Sequence, residues 1–231
     1  MARRHQYITL IASLPPLQFF DRAERLPINE IRLRQRLTML QPADRRVVER
    51  TADFLAWQRQ PVERTDTQVV ALFQGMTDLA ASYPVLMQAI ESRMNSRTIM
   101  AALRRRQRGA SAPTADEPWG VGPWVAHIER NWDDPTFRLS GIFRWVEPAR
   151  QHLIAGETLA LERLLMQQIW HQVDRIAHAN MFSFEAVVAY LFKWDILQRW
   201  LSYNRAPAQT RFEALVTEVI GEHEQLFDRH S

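Results

Sequence analysis

A single lysine, Lys193, stands between Phe192 and Trp194 in a chain whose other permanently basic side chains are arginines. An amine that such neighbours desolvate can have a lowered pKa and act as a nucleophile. Asp195 follows closely, however, and a lysine can also run its stem along an apolar surface while its ammonium stays in water. No companion acid, base or phosphate motif is recognisable, so the sequence favours a charged edge of a packed helix over a reactive amine.

Three further polar side chains, His171, Asp174 and His178, fall at i, i+3 and i+7, which places them on one face of a helix. Imidazole and carboxylate groups are metal ligands. The set lacks the closely spaced HExxH or Glu-x-x-His patterns that make such a site specific, and the polar face of an amphipathic helix gives the same spacing. We therefore expect no metal.

Two short motifs also suggest chemistry and are weak. Residues 119–122 (WGVG) look like half of a phosphate-binding turn, but no strand precedes them and Pro123 lacks an amide that a phosphate would need. Asp133 and Asp134 can hold a divalent ion, although adjacent carboxylates before Pro135 more often cap a turn. No P-loop, GxSxG or kinase motif occurs. The sequence predicts no catalytic residue and no cofactor, and the protein is not expected to be an enzyme.

The strongest basic cluster consists of Arg104, Arg105, Arg106 and Arg108. Such a cluster can bind phosphate or an acidic protein surface. It can also be a solvated helix end, where positive charge complements the helix dipole. No aromatic residues interleave with the arginines, so base stacking is not indicated, and nucleic-acid binding remains the weaker alternative.

Composition limits the possibilities further. The chain has 231 residues, a formal net charge of +3 and no cysteine, which excludes disulfides and thiolate chemistry. Residues 1–110 carry 18 arginines against 10 acidic residues, whereas residues 111–231 carry 11 basic against 16 acidic residues. This polarity suits a protein that docks between differently charged partners, and chance differences between solvated helix faces would produce it equally well.

The elements that must position these residues are helical almost throughout, and the predicted class is all-α. The β-branched segment at 6–17 is the exception, since it suits a short strand, an extended segment or a short first helix. Helical periodicity and capping signals predict helices over 27–39, 42–57, 65–80, 84–106, 146–153, 157–179, from Ser183 through the lysine segment, and 207–227.

The Gly-, Ala-, Ser- and Pro-rich stretch at 109–120 reads as a linker or mobile loop. The charge balance changes sign there. We therefore predict a two-lobed helical protein, with an N-terminal lobe over 1–108 and a C-terminal lobe over 121–231. Arg3 and Arg4 before a short apolar run resemble an export signal only faintly, because no small-x-small cleavage site follows.

Three blocks of the sequence together resemble an uncharacterised bacterial family encoded beside the subunits of V-type (A/V-type) ATPases. They are YITLIASLPPL with the following IRLRQRL, NWDDPTFRLSGIFRWVE at 131–147, and FSFEAVVAYLFKWDILQRW with the following RFEALVTEVI. The third block is similar to the C-terminal signature of the ATPase C subunit (subunit d), in which a Tyr-Leu pair precedes a basic, an acidic and an apolar residue. Those positions are Tyr190, Leu191, Lys193, Asp195 and Ile196 here.

The resemblance implies a non-catalytic coupling part that sits on the membrane rotor ring and receives the central stalk. Its partners would be other ATPase subunits, it would need no cofactor, and it would be cytoplasmic and peripheral to the inner membrane. The alternatives are an assembly factor for that ATPase and an arginine-rich nucleic-acid-binding protein. The candidate interface residues are Arg104, Arg105, Arg106, Arg108, Lys193, Asp195 and Arg199.

Overall fold

The computed structural model describes residues 2–55, 65–114 and 117–203, and this part of the chain contains helices and no strand. The predicted all-α class is confirmed. The helices are α1 (Ala2–Ser13), α2 (Glu30–Leu37), α3 (Pro42–Leu55), α4 (Asp66–Ala80), α5 (Pro84–Gln107), α6 (Val125–Arg130), α7 (Val146–Ala155), α8 (Thr158–Ala179) and α9 (184–203), with one 3₁₀ turn at Phe20–Arg22. The helix predicted over 207–227 lies outside the described residues.

Side-chain caps account for the starts of three helices, α2, α4 and α9. Thr65 caps α4 through a capping box, in which its hydroxyl accepts from the Gln68 amide and the Gln68 side chain accepts from the Thr65 amide. Ser183 accepts weakly from the Ala186 amide at the start of α9, over 3.4 Å. The helix expected over 27–39 is shorter, because Asn29 rather than Pro27 supplies the cap and starts α2 at Glu30.

The β-branched N-terminal segment is helical as far as Ser13, where α1 ends. Leu10 is fully buried in α1, and no strand exists among the described residues for an extended segment to pair with. The Tyr7 hydroxyl donates to the carboxylate of the completely buried Asp44, which also accepts from the Tyr83 hydroxyl. Burial against α3 and the start of α5 therefore decides the conformation of this segment, overriding the β propensity of its side chains.

Two helices hold the core together. Helix α5 contributes Leu86, Ile90 and Met94 to one buried cluster and Ile99 and Leu103 to a second. Helix α9 packs Phe184, Val187 and Trp194 into the first cluster and Leu197 and Trp200 into a third. The expectation that the lysine segment is a helix buried on most sides is confirmed.

The first cluster draws on both predicted lobes. Tyr7 and Leu10 of α1 share it with Phe184 and Val187 of α9. The Trp194 indole nitrogen donates to the carbonyl oxygen of Ile28, 2.9 Å away. The division into lobes at 109–120 stays a prediction, and the contacts across it provide a way to test it.

Candidate functional site: an arginine-lined cleft

A cleft of about 240 Å³ lies between α5, α8 and α9. One face of α5 forms its floor, because Arg93, Arg97, Arg104 and Arg108 fall at i, i+4, i+11 and i+15. We call it the arginine cleft and define it by its charged lining: Asp66, Arg93, Arg97, Arg104, Arg105, Arg108, Glu162, Asp195 and Arg199. Six guanidinium groups thus face three carboxylates.

Some of these arginines have acidic partners. Arg97 lies 3.5 Å from Asp66, and Arg105 donates to Glu117 over 2.6 Å. Within the ranges that the structure describes, the guanidinium groups of Arg104 and Arg108 make no hydrogen bond or ion pair. Among the described residues, positive charge is therefore left uncompensated where α5 ends.

The pKa of Arg93 reflects both its burial and the excess of positive charge in the cleft. Burial and the neighbouring positive charge of Arg199 lower the pKa of Arg93 to about 10, while Asp195 and Glu162 act in the opposite direction. The guanidinium remains protonated at neutral pH, so its charge is held at a cost in desolvation and like-charge repulsion. An anionic group in the cleft would relieve the repulsion.

Arg199 fixes one wall of the cleft. Its Nη2 donates to Glu162 of α8 over 3.0 Å, and its Nε donates to the Tyr203 hydroxyl over 3.0 Å. The guanidinium also lies over the Tyr203 ring, 5.6 Å from its centroid. These contacts orient the arginine and tie α9 to α8, so the wall is held in place before any ligand arrives.

The structure brings most of the predicted interface residues together. Arg104, Arg105, Arg108, Asp195 and Arg199 all line the cleft, although they come from helices far apart in sequence. Two of the predicted residues lie elsewhere. Arg106 donates from Nη2 to the carbonyl oxygen of Asp133 over 2.9 Å, and Lys193 faces α8.

Lys193 lies between an acidic and an aromatic side chain of α8. Its Nζ donates to Asp174 over 2.8 Å and lies 5.6 Å from the centroid of the Trp170 ring. The lysine side chain is 16% exposed and Asp174 is 36% exposed, so the pair sits at the edge of the packed helix. An ion pair and an aromatic face are contacts that suit the charged edge of a packed helix.

The ion pair with Lys193 involves Asp174, which is the carboxylate of the candidate metal set His171, Asp174 and His178. His171 stacks on Phe19 with ring centroids 5.8 Å apart, and His178 Nδ1 lies 2.7 Å from the carbonyl oxygen of Asp174. Among the described residues, no group of three or more His, Cys, Asp or Glu side chains is arranged to hold a metal ion.

The glycines of the WGVG motif serve packing against α5. A Cβ on Gly120 would lie 2.7 Å from the Thr98 methyl group, and one on Gly122, which has φ +97°, would lie 2.2 Å from Asn95 Oδ1. The intervening Val121 amide donates to Thr98 Oγ1 over 2.9 Å. This amide is therefore already used, and the turn does not present it to a phosphate.

We predicted that Asp133 and Asp134 cap a turn rather than hold a metal ion. For Asp134 the capping is confirmed. Its Oδ1 accepts from the Thr136 amide, the Thr136 hydroxyl and the Arg138 amide at 2.8–2.9 Å. The hydrogen bonds from these two amides lower the pKa of the carboxyl group below its usual value.

Sequence reasoning did not assign four charged residues of the cleft to a site: Asp66, Arg93, Arg97 and Glu162. A signal for the two arginines was available, since they share a helical face with Arg104 and Arg108, at successive spacings of four, seven and four residues. Glu162 had no comparable signal, because only the packing of α8 beside α9 brings it to Arg199.

Comparison with known families adds one finding. Residues 62–223 match the family described as protein of unknown function DUF2764. The chain belongs to this family. The matched segment contains every residue of the arginine cleft, whereas α1, α2 and α3 precede it. Neither the comparison with curated proteins nor that with solved structures gives a match.

Proposed function

We propose that this protein is a non-catalytic peripheral subunit of a V-type (A/V-type) ion-translocating ATPase and couples the central stalk to the membrane rotor ring. The observation that carries the binding role is the arginine cleft, with its net positive charge and the two arginines that lack partners among the described residues. The ATPase context comes from the resemblance of the three sequence blocks.

The cleft fits an acidic segment of a neighbouring subunit. A carboxylate reaching Arg104 or Arg108 would gain charge-assisted hydrogen bonds, and the planar guanidinium allows a bidentate contact. Coupling of this kind transmits force through packed side chains, so it requires no reacting group or cofactor. In this proposal the protein works at the cytoplasmic side of the inner membrane and touches the membrane only through its partners.

The fold is compatible with such a peripheral position. Every helix that the structure describes is too short or too polar to cross a bilayer. An arginine cleft could also attract nucleic acid, but no aromatic side chain is among the described residues that line it, so stacking of bases is not offered. We therefore rank a protein partner above a nucleic acid.

Co-purification tests the proposal. A tagged chain should retain the ATPase subunits, and the double variant Arg104→Gln/Arg108→Gln should lose most of that retention at physiological salt. The matched variant Arg144→Gln/Arg175→Gln removes the same charge from exposed positions outside the cleft and should retain them. An ATPase that assembles and turns over normally without this protein would refute the proposal.

The alternative role of assembly factor gives a different result in the same experiment. A coupling subunit remains in the purified, active enzyme in fixed proportion to the other subunits, whereas an assembly factor leaves before activity appears. For the nucleic-acid alternative, the requirement is salt-sensitive retention of RNA or DNA that the Arg104→Gln/Arg108→Gln variant abolishes.

A further inference from the structure

A second surface, which shares Asp195 with the arginine cleft, has a charged lining that is mainly acidic. A groove of about 630 Å³ lies between α2, α3 and α9. Its walls are mainly apolar and include Leu33, Leu37, Val48, Leu191 and Phe192. The volume lies within the range of about 300–1,000 Å³ that is usual for ligand pockets.

A buried hydroxyl without a partner among the described residues lies in the wall of the groove. Thr51 lines it and is only 3% exposed, and its hydroxyl oxygen has no hydrogen-bond partner among the described residues. Buried hydroxyls are nearly always paired, because an unpaired one forfeits its hydrogen bonds to water. Contacts among the described residues therefore do not fully satisfy the wall of the groove at Thr51.

The charged lining of the groove is predominantly acidic. Four carboxylates border it, against only two guanidinium groups: Glu30, Glu49, Asp53, Asp195, Arg34 and Arg45. Arg34 pairs with Glu30 over 2.6 Å, and Arg45 approaches Glu49 only to 3.9 Å. An occupant with positive charge at its edges would therefore complement this lining, whereas an acidic one would be repelled.

The walls also restrict the shape of the occupant. All three are helices, whose backbone groups bond within their own turns, so no strand edge is available to pair with an extended peptide. A peptide entering an apolar groove must satisfy its own amides and carbonyls, and a helix does this. An amphipathic helix in a groove bounded by helices is a recurrent mode of recognition.

We propose that this groove binds an amphipathic helix of a partner protein, with apolar side chains in the groove and lysine or arginine side chains facing its acidic lining. This binding does not rest on the proposed ATPase role: the groove shares α9 and Asp195 with the arginine cleft, but its other walls are α2 and α3, and it takes a basic rather than an acidic partner.

A synthetic peptide tests the groove directly in the full chain. The probe is a fluorescently labelled helical peptide of about 15 residues, with leucines along one face and lysines on the other. Saturable binding by fluorescence anisotropy is the expected result. A peptide with the same lysines and glutamines in place of the leucines should not bind, because it cannot fill the apolar walls.

Three variants show whether the peptide binds in the groove. Ala52→Phe places a ring in the groove and should weaken binding about ten-fold or more. Glu49→Gln keeps the shape of the groove, removes one lining charge and should weaken binding about two- to five-fold, as expected for one exposed charge pair. The control Asp78→Asn removes a charge from the exposed side of α4, outside the groove, and should bind like the wild type.

Three results would overturn the inference. One is no saturable binding of the leucine-lysine peptide by the folded wild-type chain. Another is equal weakening by Glu49→Gln and Asp78→Asn, which would indicate only long-range attraction. The third is unchanged binding when Ala52→Phe, confirmed as folded by circular dichroism, fills the groove. None of these outcomes depends on co-purification with the ATPase, so each proposal can fail separately.

Discussion

At the scale of single residues, the neighbours Lys193 and Trp194 have opposite surroundings. Trp194 is 6% exposed and donates its indole hydrogen to Ile28, which anchors α9 to the segment before α2. Lys193 instead makes an ion pair with the partly exposed Asp174 of α8. The first side chain is part of the core and the second borders it.

The two substitutions should therefore differ in their effect on the free energy of unfolding. Trp194→Ala leaves a large cavity and an unpaired carbonyl, and should cost about 3–5 kcal/mol. Lys193→Ala should leave the fold intact and cost about 1 kcal/mol or less, since Asp174 remains hydrated. Urea denaturation measures both. Equal, small changes would contradict the burial of the indole.

A pair of threonines tests the unpaired hydroxyl. Thr51→Val removes a buried hydroxyl with no partner among the described residues and should stabilise the free protein by about 1 kcal/mol. Thr98→Val removes a buried hydroxyl that bonds to both the amide and the carbonyl of Val121, and should destabilise it by about 2 kcal/mol. Thermal melting should give shifts of opposite sign. A loss of stability in both variants would show that Thr51 already has a partner.

At the scale of elements, the connection between α6 and α7 is organised by one carboxylate. Asp134 accepts from the Thr136 and Arg138 amides, and the turn places Phe137 and Arg138 at φ values of 56° and 55°. Non-glycine residues adopt this left-handed region at some cost. The ring of Phe137 is completely buried, so packing and the Asp134 hydrogen bonds together hold the turn.

This turn should contribute a pH-dependent part of the stability. The pKa of Asp134 is lowered in the folded protein, so its stabilisation is present above the unfolded-state pKa of about 3.9 and is lost as pH falls through the folded-state pKa. Asp134→Asn should cost about 0.5–1 kcal/mol at pH 7 and progressively less toward about pH 2. Denaturation at a series of pH values measures the difference.

The adjacent Asp133 provides the matched control for that experiment. It is exposed, and its side chain makes no hydrogen bond within the described residues. Asp133→Asn should therefore leave stability nearly unchanged at every pH. A deficit in Asp134→Asn that stays constant with pH would mean that ionisation of the carboxyl group does not stabilise the turn.

At the scale of the whole molecule, α9 joins elements from opposite ends of the chain. The Tyr190 hydroxyl donates to the carbonyl oxygen of Pro15 over 2.9 Å, and Phe184 packs against Tyr7 and Tyr83. The apolar contacts of the first cluster thus cross the predicted boundary at 109–120. Burial of this kind stabilises the two sides jointly.

A chain cut at that boundary should therefore stay in one piece. A specific protease site inserted after the exposed Ser111 would allow cleavage of the folded protein. We expect the two fragments to elute together under native conditions and to unfold in one transition, with the uncut insertion variant as the control. Separation of the fragments, or two transitions, would instead support independent lobes.

Local sequence signals were enough for the all-α class, the start of α4 at residues 65–66, the limits of α5 within one or two residues and the burial of α9. Helical periodicity and side-chain caps depend on residues three or four positions apart, so they are readable in order along the chain. The start of α2 was misplaced because two local signals, Pro27 and Asn29, competed.

Tertiary structure decided the rest, since those features depend on helices that meet across long sequence separations. Packing against Asp44 and α9 made the N-terminal segment helical, and docking of α8 gave Lys193 its partner in Asp174. The same packing gathered Arg104, Arg108 and Arg199 into one cleft. By itself the sequence determined which helices form and that charge is unevenly distributed. Only the packed helices decided where that charge gathers, because spatial proximity between distant residues is not encoded in any local spacing.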